Sequence, residues 1–379
     1  MSSLFGIGAN GASSFYNGAI EQSARFPAPS GTSSSNSRLT KTFSTVDSNV
    51  HWTLNFWIKR SATGGVNPVG SARPLDVLTP RSGTSASVLH EFHFGAPGSY
   101  GAGDAFVITN TNSGTYILST THLFLDASSW YNIHVQADLD NGTNGEKLKI
   151  FVNGVEAAYT TDNRGSYTSM AGIAAGAWTI GDYYNYGYPL QSYLANWAYV
   201  DGSTLAPTVF GEFKEGTWIP KKITGVTWGS AGHLLAFQDS SALGDDTSGN
   251  GNDWTVSNMA AHDQMPDTPE NNYPTMNHLS RGVDTITFSE GNLKSSFTSD
   301  TDDTMAGCTF ALPKEGKWYW EQTFTGAATN GSQAPYCGIY DLDTLAFGYS
   351  DNFINSECLK LAVEIYTKSA SEFLIAISY

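Results

Sequence analysis

The sequence predicts an all-β protein: an antiparallel β-sandwich followed by a second, partial β-sandwich. Three observations carry that prediction. Apolar residues recur at every second position in many short runs, the period of a half-buried strand. Glycine (39) and proline (14) break the chain too often for long helices. Turn pairs such as Asn153-Gly154 and Asp201-Gly202 separate the runs. The 379 residues are enough for roughly two to three domains.

The first 50 residues are small and polar, and Ser30–Ser37 reads as a low-complexity surface loop. Leu4, Phe5, Ile7 and Phe15 are the apolar exceptions. Such a segment has little reason to fold alone, so it either docks on something else or pairs as a first strand. From His51 the pattern changes. Trp52, Leu54, Phe56 and Ile58 share one face of a strand, and Thr53 and Trp57 on the other face predict that this side is partly covered too. Further strands are expected at 89–94, 106–108 and 130–137, the last with Tyr131, Ile133, Val135 and Ala137 on one side.

Leu148, Ile150 and Val152 alternate up to Asn153-Gly154, which supplies the two positive-φ positions of a tight hairpin, and Val155 starts the return strand. Short strands follow at 178–181 and 193–200, then a single helical turn near 206–210. The stretch 211–282 is rich in Asn, Asp, Gly, Pro and Thr with few strand runs, but Trp218, Trp228 and Trp254 predict a packed connector instead of a free linker. Alternation resumes at Ile286 and Phe288. It returns in the aromatic strand 317–324 and in two last strands around 361–365 and 373–377. The expected organisation is therefore a tail (1–40), a sandwich (41–210), an irregular packed connector (211–282) and a second β unit (283–379) that is short for a sandwich.

Composition excludes several classes. Lys+Arg is 19 against 35 Asp+Glu, a formal charge of −16. A nucleic-acid binder needs a basic footprint to displace counterions from phosphates. At 13% aromatic and 14% charged the chain is not of disordered composition. No apolar run approaches the ~20 residues of a membrane-spanning helix, so no membrane insertion is expected, and Met1–Gly6 does not read as a secretory signal. Cys308, Cys337 and Cys358 are odd in number and lack zinc-site spacing, so they read as buried strand thiols with no disulfide framework.

The motifs, taken in order, resemble known proteins. Trp52…Phe56-Trp57-Ile58-Lys59-Arg60, Trp130-Tyr131-Asn132-Ile133 and Ile150-Phe151-Val152-Asn153-Gly154-Val155 resemble laminin-G-like and concanavalin-A-like jelly-roll domains. The continuation is more specific: Tyr199-Val200-Asp201-Gly202, Leu205-Ala206-Pro207, Phe210-Gly211-Glu212, Gly216-Thr217-Trp218-Ile219-Pro220, Leu243-Gly244-Asp245-Asp246-Thr247-Ser248-Gly249-Asn250-Gly251-Asn252-Asp253-Trp254 and Asp267-Thr268-Pro269. Over roughly residues 1–290 this order resembles a family of tailed-phage virion proteins, many of them marine, whose N-termini are similar to Leu4-Phe5-Gly6-Ile7-Gly8. Gly316-Lys317-Trp318-Tyr319-Trp320-Glu321 resembles the opening strand of a SPRY-like module, and the chain ends before a full SPRY sandwich is complete. The resemblance implies a virion-located structural protein, a tail fibre or tail-associated appendage involved in host attachment, or else a capsid-surface fibre. It implies a homotrimer in contact with other virion proteins, with Leu4, Phe5 and Ile7 as docking residues.

Few constellations carry chemistry. Gly6-Ile7-Gly8-Ala9-Asn10-Gly11 has dinucleotide-loop spacing but lacks the strand before it and the helix after it. His90-Glu91-Phe92-His93 cannot share a metal, because on a strand the two histidines face opposite sides. No nucleophile elbow or glycosidase-type carboxylate signature is present, so no enzyme is expected and a polysaccharide depolymerase is the least favoured reading. Asp245, Asp246, Asn250, Asn252 and Asp253 supply the hard oxygens and glycine turns that Ca²⁺ prefers, and the same residues make turns without any metal. Tyr183, Tyr184, Tyr186 and Tyr188 offer flat faces and hydroxyls that suit glycan stacking or a protein interface, which makes host surface glycan a further candidate partner for a lectin-type module.

Overall fold

The computed structural model describes residues 15–27, 36–63, 74–81, 90–95, 103–111, 113–183, 189–281, 286–297, 306–311, 317–323, 362–369 and 372–378. The chain divides into two units, one holding Ala12–Asn272 and the other running from Tyr273 onward.

The strands of the first unit are β1 (Ser23–Phe26), β2 (Arg38–Phe43), β3 (His51–Arg60), β4 (Leu75–Pro80), β5 (His90–Phe94), β6 (Ala105–Asn110), β7 (Thr115–Leu123), β8 (Trp130–Asp138), β9 (Leu148–Val152), β10 (Val155–Glu156), β11 (Tyr159–Asp162), β12 (Gly176–Ile180), β13 (Ser192–Asp201), β14 (Gly211–Lys214), β15 (Thr217–Pro220), β16 (His233–Leu235), β17 (Thr255–Ser257) and β18 (Gln264–Met265). Among the described residues they build two eight-stranded antiparallel sheets and the β14–β15 hairpin. The first sheet runs β10-β9-β8-β3-β13-β1-β18, with β16 also on β13. The second runs β11-β7-β6-β5-β4-β12-β2-β17. This is an all-β antiparallel sandwich of jelly-roll-like architecture.

The core fills the space between the sheets. Trp52, Leu54, Phe56 and Ile58 of β3 meet Phe92, Phe94, Phe106, Ile108, Trp178 and Ile180 of the second sheet in one buried cluster. Rings couple the sheets: Trp52 to Phe92 at 5.9 Å, Phe56 to Phe106 at 6.1 Å and Trp178 to Tyr199 at 5.0 Å between centroids. Each buried ring of this kind is worth several kcal/mol, about 3–5 when a Phe or Trp is cut to Ala. In β13, Trp197 and Tyr199 join this core while Ala198 and Val200 join a smaller cluster with Phe210 on the opposite face.

The predicted strands of the sandwich are present, and the hairpin after Val152 turns through Asn153 (φ 48°) and Gly154 (φ 77°). Within the 1–40 segment the described residues include strands: Ser23–Phe26 pairs with both β13 and β18, and Arg38 opens β2. The reason is apolar: Ala24 and Phe26 are fully buried in the main core. The stretch 211–272 is less irregular than its composition implies, since β14–β18 lie in it and three of those strands extend the two sheets. It belongs to the sandwich unit, and the boundary falls at Asn272/Tyr273.

This connector accounts for the burial of β3 on both faces. Thr53, Asn55, Trp57 and Lys59, which point away from the main core, are all buried. Lys59 Nζ donates to Asp267 Oδ2 and to Asn272 Oδ1, both at 2.8 Å, and Trp130 Nε1 donates to Asp267 Oδ1 at 2.9 Å. Trp218 Nε1 donates to Asn132 Oδ1 at 3.1 Å, while Asn132 Nδ2 donates to Asn55 Oδ1 at 3.1 Å. Asn153 Oδ1 takes the Asn132 amide N–H at 2.8 Å. The Trp218 ring lies against Gly154 and Gly211, where an added Cβ would fall inside it.

The second unit holds β19 (Met276–Arg281), β20 (Ile286–Ser289), β21 (Lys294–Phe297), β22 (Ala306–Cys308), β23 (Lys317–Thr323), β24 (Ala362–Ser369) and β25 (Glu372–Ser378). β19 pairs with β22, β20 with β21, and the order of the remaining sheet is β23-β25-β24, all antiparallel. The late alternating runs are therefore strands, as expected. Cys308 is on a strand but exposed, which corrects the reading of a buried thiol. Its ribbon has a single partner strand, so burial is not imposed by a second layer. Cys337 and Cys358 lie outside the described residues.

Candidate functional site

Among the described residues one group of side chains can hold a metal ion: His51, Asp138 and Asp140, whose ligand atoms all lie within 4.8 Å of one another. Strand register assembles it. His51 opens β3 and is paired directly with Asp138, which closes β8. Cross-strand partners project to the same face. The chain then turns, with the Asn141 amide donating to the Asp138 carbonyl at 3.0 Å, and this turn carries Asp140 to the histidine. His51 Nε2 lies 2.8 Å from Asp140 Oδ1 and 3.2 Å from Asp138 Oδ1.

Asn141 Nδ2 donates to Asp138 Oδ2 at 2.8 Å. That bond is the main reason the Asp138 carboxyl titrates below the usual carboxylate range, with His51 adding to it. A ligand carboxylate held by a neighbouring amide is a common support in metal sites. Asp140 is exposed, so the site is open to solvent. Two carboxylate oxygens serve Ca²⁺, and the imidazole nitrogen extends the range to Zn²⁺ and Mn²⁺. Three protein ligands leave positions for water.

The sequence reading missed this cluster. Its components stand 87 and 89 residues apart in sequence, as separations from His51 to Asp138 and Asp140. The signal that was available is Asp138-Leu139-Asp140 at the end of one predicted strand and a histidine at the start of another, which becomes informative only once those strands are known to be paired.

The calcium candidates take a different form. Asp246 accepts the backbone N–H groups of Leu234, Ser248 and Asn252 and the Ser248 hydroxyl, each at 2.9 Å. Burial pushes its carboxyl up, but these bonds outweigh burial and hold it below the ordinary value. Asp253 Oδ1 accepts the Asp246 N–H at 2.9 Å. The Asn250 and Asn252 side-chain amides donate to carbonyls of Gly229, Ser230 and Gly232. Protein donors thus fill the Asp246 oxygens, and Asp245, Asp246 and Asp253 do not bring three ligand atoms together.

Of the tyrosines, Tyr183 is half-buried and hydrogen-bonded to Glu91. Tyr184, Tyr186 and Tyr188 lie outside the described residues, as do Leu4, Phe5 and Ile7. His90 and His93 take separate partners, as their opposed faces require: His90 Nδ1 accepts the Gly172 N–H at 3.0 Å, and His93 Nε2 bonds Thr109 Oγ1 at 2.9 Å. Burial pushes both imidazoles down to about 4. Among the described residues no helix is long and apolar enough to cross a membrane.

No protein-family model matches the chain. No curated protein matches it. Among solved structures, a provisionally named carbohydrate binding protein from Bacteroides ovatus ATCC 8483 is similar at a TM-score of 0.40 and 14% identity over 63% of this chain. The match spans 58% of that protein's length. The binding domain of Paraclostridial Mosquitocidal Protein 1 is similar at a TM-score of 0.31 and 10% identity, over 51% of this chain and 44% of that one. Likenesses this distant carry nothing about what this chain binds.

Proposed function

We propose that the chain is a non-enzymatic structural component of a tailed-phage virion, a tail fibre or tail-associated appendage that takes part in host attachment. One observation supports this reading more than any other. The motifs that resemble phage virion proteins are used here as joints of the scaffold, where they meet the motifs that resemble jelly-roll domains. Asn132, Asn153-Gly154, Gly211 and Trp218 meet at one packing node. Lys59, Trp130 and Asp267 meet at a second. Asp246, Asn250, Asn252 and Asp253 tie a third to the 229–234 segment. A shared set of joints is what proteins sharing a load-carrying frame have in common, whereas shared catalysis would leave reactive groups unengaged in a cleft.

In this reading the sandwich is a laminin-G/concanavalin-A-like jelly roll and the second unit a partial SPRY-like module. The rigid sheets display loops, and a homotrimer gives several copies acting together. A divalent cation, Ca²⁺ included, at His51, Asp138 and Asp140 would stiffen the end of the first sheet. The test is an antibody against the purified chain, applied to particles of the phage that carries the gene and viewed by electron microscopy. Label on the tail appendages is expected. Label on the capsid instead moves the protein to a surface fibre, and its absence from purified particles refutes a virion role.

A further inference from the structure

The second sheet of the sandwich carries acids on the face turned away from the core. In β4 and β5, Leu75, Val77, Phe92 and Phe94 enter the core, so Asp76, Glu91 and His93 take the other face. Asp76 is paired directly with His93. Asp76 is 0% exposed and Glu91 5%. Asp182, just beyond β12, is also fully buried. Among the described residues neither oxygen of the Asp76 carboxyl has a hydrogen-bond partner. A buried carboxylate in that condition costs several kcal/mol unless something occupies it.

We propose that Asp76, Glu91 and Asp182 form a buried proton-holding cluster, and that loss of its protons as pH rises destabilises the sandwich. The inference stands apart from the virion reading and survives or fails without it. A metal is the other means of neutralising such a cluster, but these carboxyls do not converge as ligands, in contrast to the His51 group. A proton needs no convergence. It needs one oxygen without a hydrogen bond, which Asp76 has among the described residues.

The surrounding charges agree. The titratable and charged groups on this face are Glu91 and His93 on β5, Asp182 and Tyr183 after β12, Arg38 on β2 and Arg81 at the end of β4, while His90 of β5 and Lys41 of β2 alternate to the core-facing side. His93 is kept neutral by burial. Arg38 Nη1 stands 3.7 Å from Asp182 Oδ2, and Asn36 Nδ2 donates to Asp182 Oδ1 at 2.9 Å. Asp182 is therefore the member suited to carry the charge, and Asp76 and Glu91 the protons. Burial, with the charges of Glu91 and Asp182 adding to it, pushes the Asp76 carboxyl well up. Burial lifts Glu91 to about 7 against the opposing bond from Tyr183.

The sign follows from linkage. The folded chain keeps protons that the unfolded chain releases above ~4. The unfolding constant therefore rises up to tenfold per pH unit for each proton held. Asp76→Asn copies the protonated acid and removes its titration. Urea unfolding of the full chain from pH 5 to pH 8 should show the ratio of wild-type to Asp76→Asn unfolding constants growing towards tenfold per pH unit. A ratio independent of pH overturns the proposal. If the variant does not fold, infrared spectra of the wild type decide it. An un-ionised carboxyl C=O band present at pH 7 that fades at higher pH supports the cluster, and absence of that band at pH 7 overturns it.

Discussion

Cutting the carboxylate of Asp267 tests how the connector is held on the first sheet. Its oxygens take the Lys59 ammonium at 2.8 Å and the Trp130 indole N–H at 2.9 Å. The Lys59 and Asp267 side chains are 1% and 4% exposed. Asp267→Ala leaves a buried ammonium without its carboxylate, a loss of about 3–5 kcal/mol when one partner of a buried pair is removed. The indole N–H loses its acceptor as well, at about 1–3 kcal/mol. Both losses stem from one carboxylate and are not additive, so the expected total is about 4 kcal/mol. With a urea m-value near ~3 kcal/mol/M, this moves the unfolding midpoint down by about 1.3 M at unchanged slope. The paired change Lys59→Met with Asp267→Leu should recover most of it, since replacing both ions by apolar groups of similar size is close to neutral. A loss under about 1 kcal/mol for Asp267→Ala would refute the reasoning, because Lys59 would then have to be hydrated and the connector lifted from the sheet.

Acid unfolding should be steep. His90, His93, His134 and His233 are each pushed by burial to about 4. Unfolded histidines take up protons below ~6.5, so stability falls as pH drops from there towards 4, by up to about 5 kcal/mol per pH unit for four sites. Asp76 and Glu91, both raised in the fold by burial, act in the opposite direction as pH rises, Glu91 through about 7. Stability should therefore peak between roughly pH 6 and 7, and a melting temperature flat from pH 4 to 9 would contradict the burial of these groups. Gly154→Ala combines a positive φ of 77° with a Cβ inside the Trp218 ring. It should lower stability by about 2–4 kcal/mol in a thermal melt, where Gly216→Ala, at φ 82° with open space around it, costs less. Zn²⁺ or Ca²⁺ should raise the melting temperature by binding the folded state, and His51→Ala should remove the Zn²⁺ effect first, since it deletes the nitrogen ligand; no thermal response to either ion rules the cluster out as a metal centre.

Much of the sandwich can be read from period two. In β3, β8 and β9 the alternating residues are the ones that reach the core. β4 gives no such signal, because the register shifts between Asp76 and Leu78 and puts Val77 and Leu78 next to each other in the core. β2 is obscured by Lys41 between Leu39 and Phe43. Trp218 and Trp254 of the 211–272 stretch are buried, while its own strands are too short for a period to show: β16 and β17 have three residues each, and β18 has two.

The amino-acid order by itself determined the strongly alternating strands and the hairpin at Asn153-Gly154, since each depends on residues adjacent along the chain. Tertiary structure decided which strands are neighbours, and with that everything of chemical interest. His51 meets Asp138 and Asp140 only because β3 lies beside β8. Asp76 loses water, and finds no hydrogen-bond partner among the described residues, only because a sheet closes around it. Charge, hydrogen bonding and ion binding act over a few ångströms in space, and a linear sequence does not record which of its distant segments come that close.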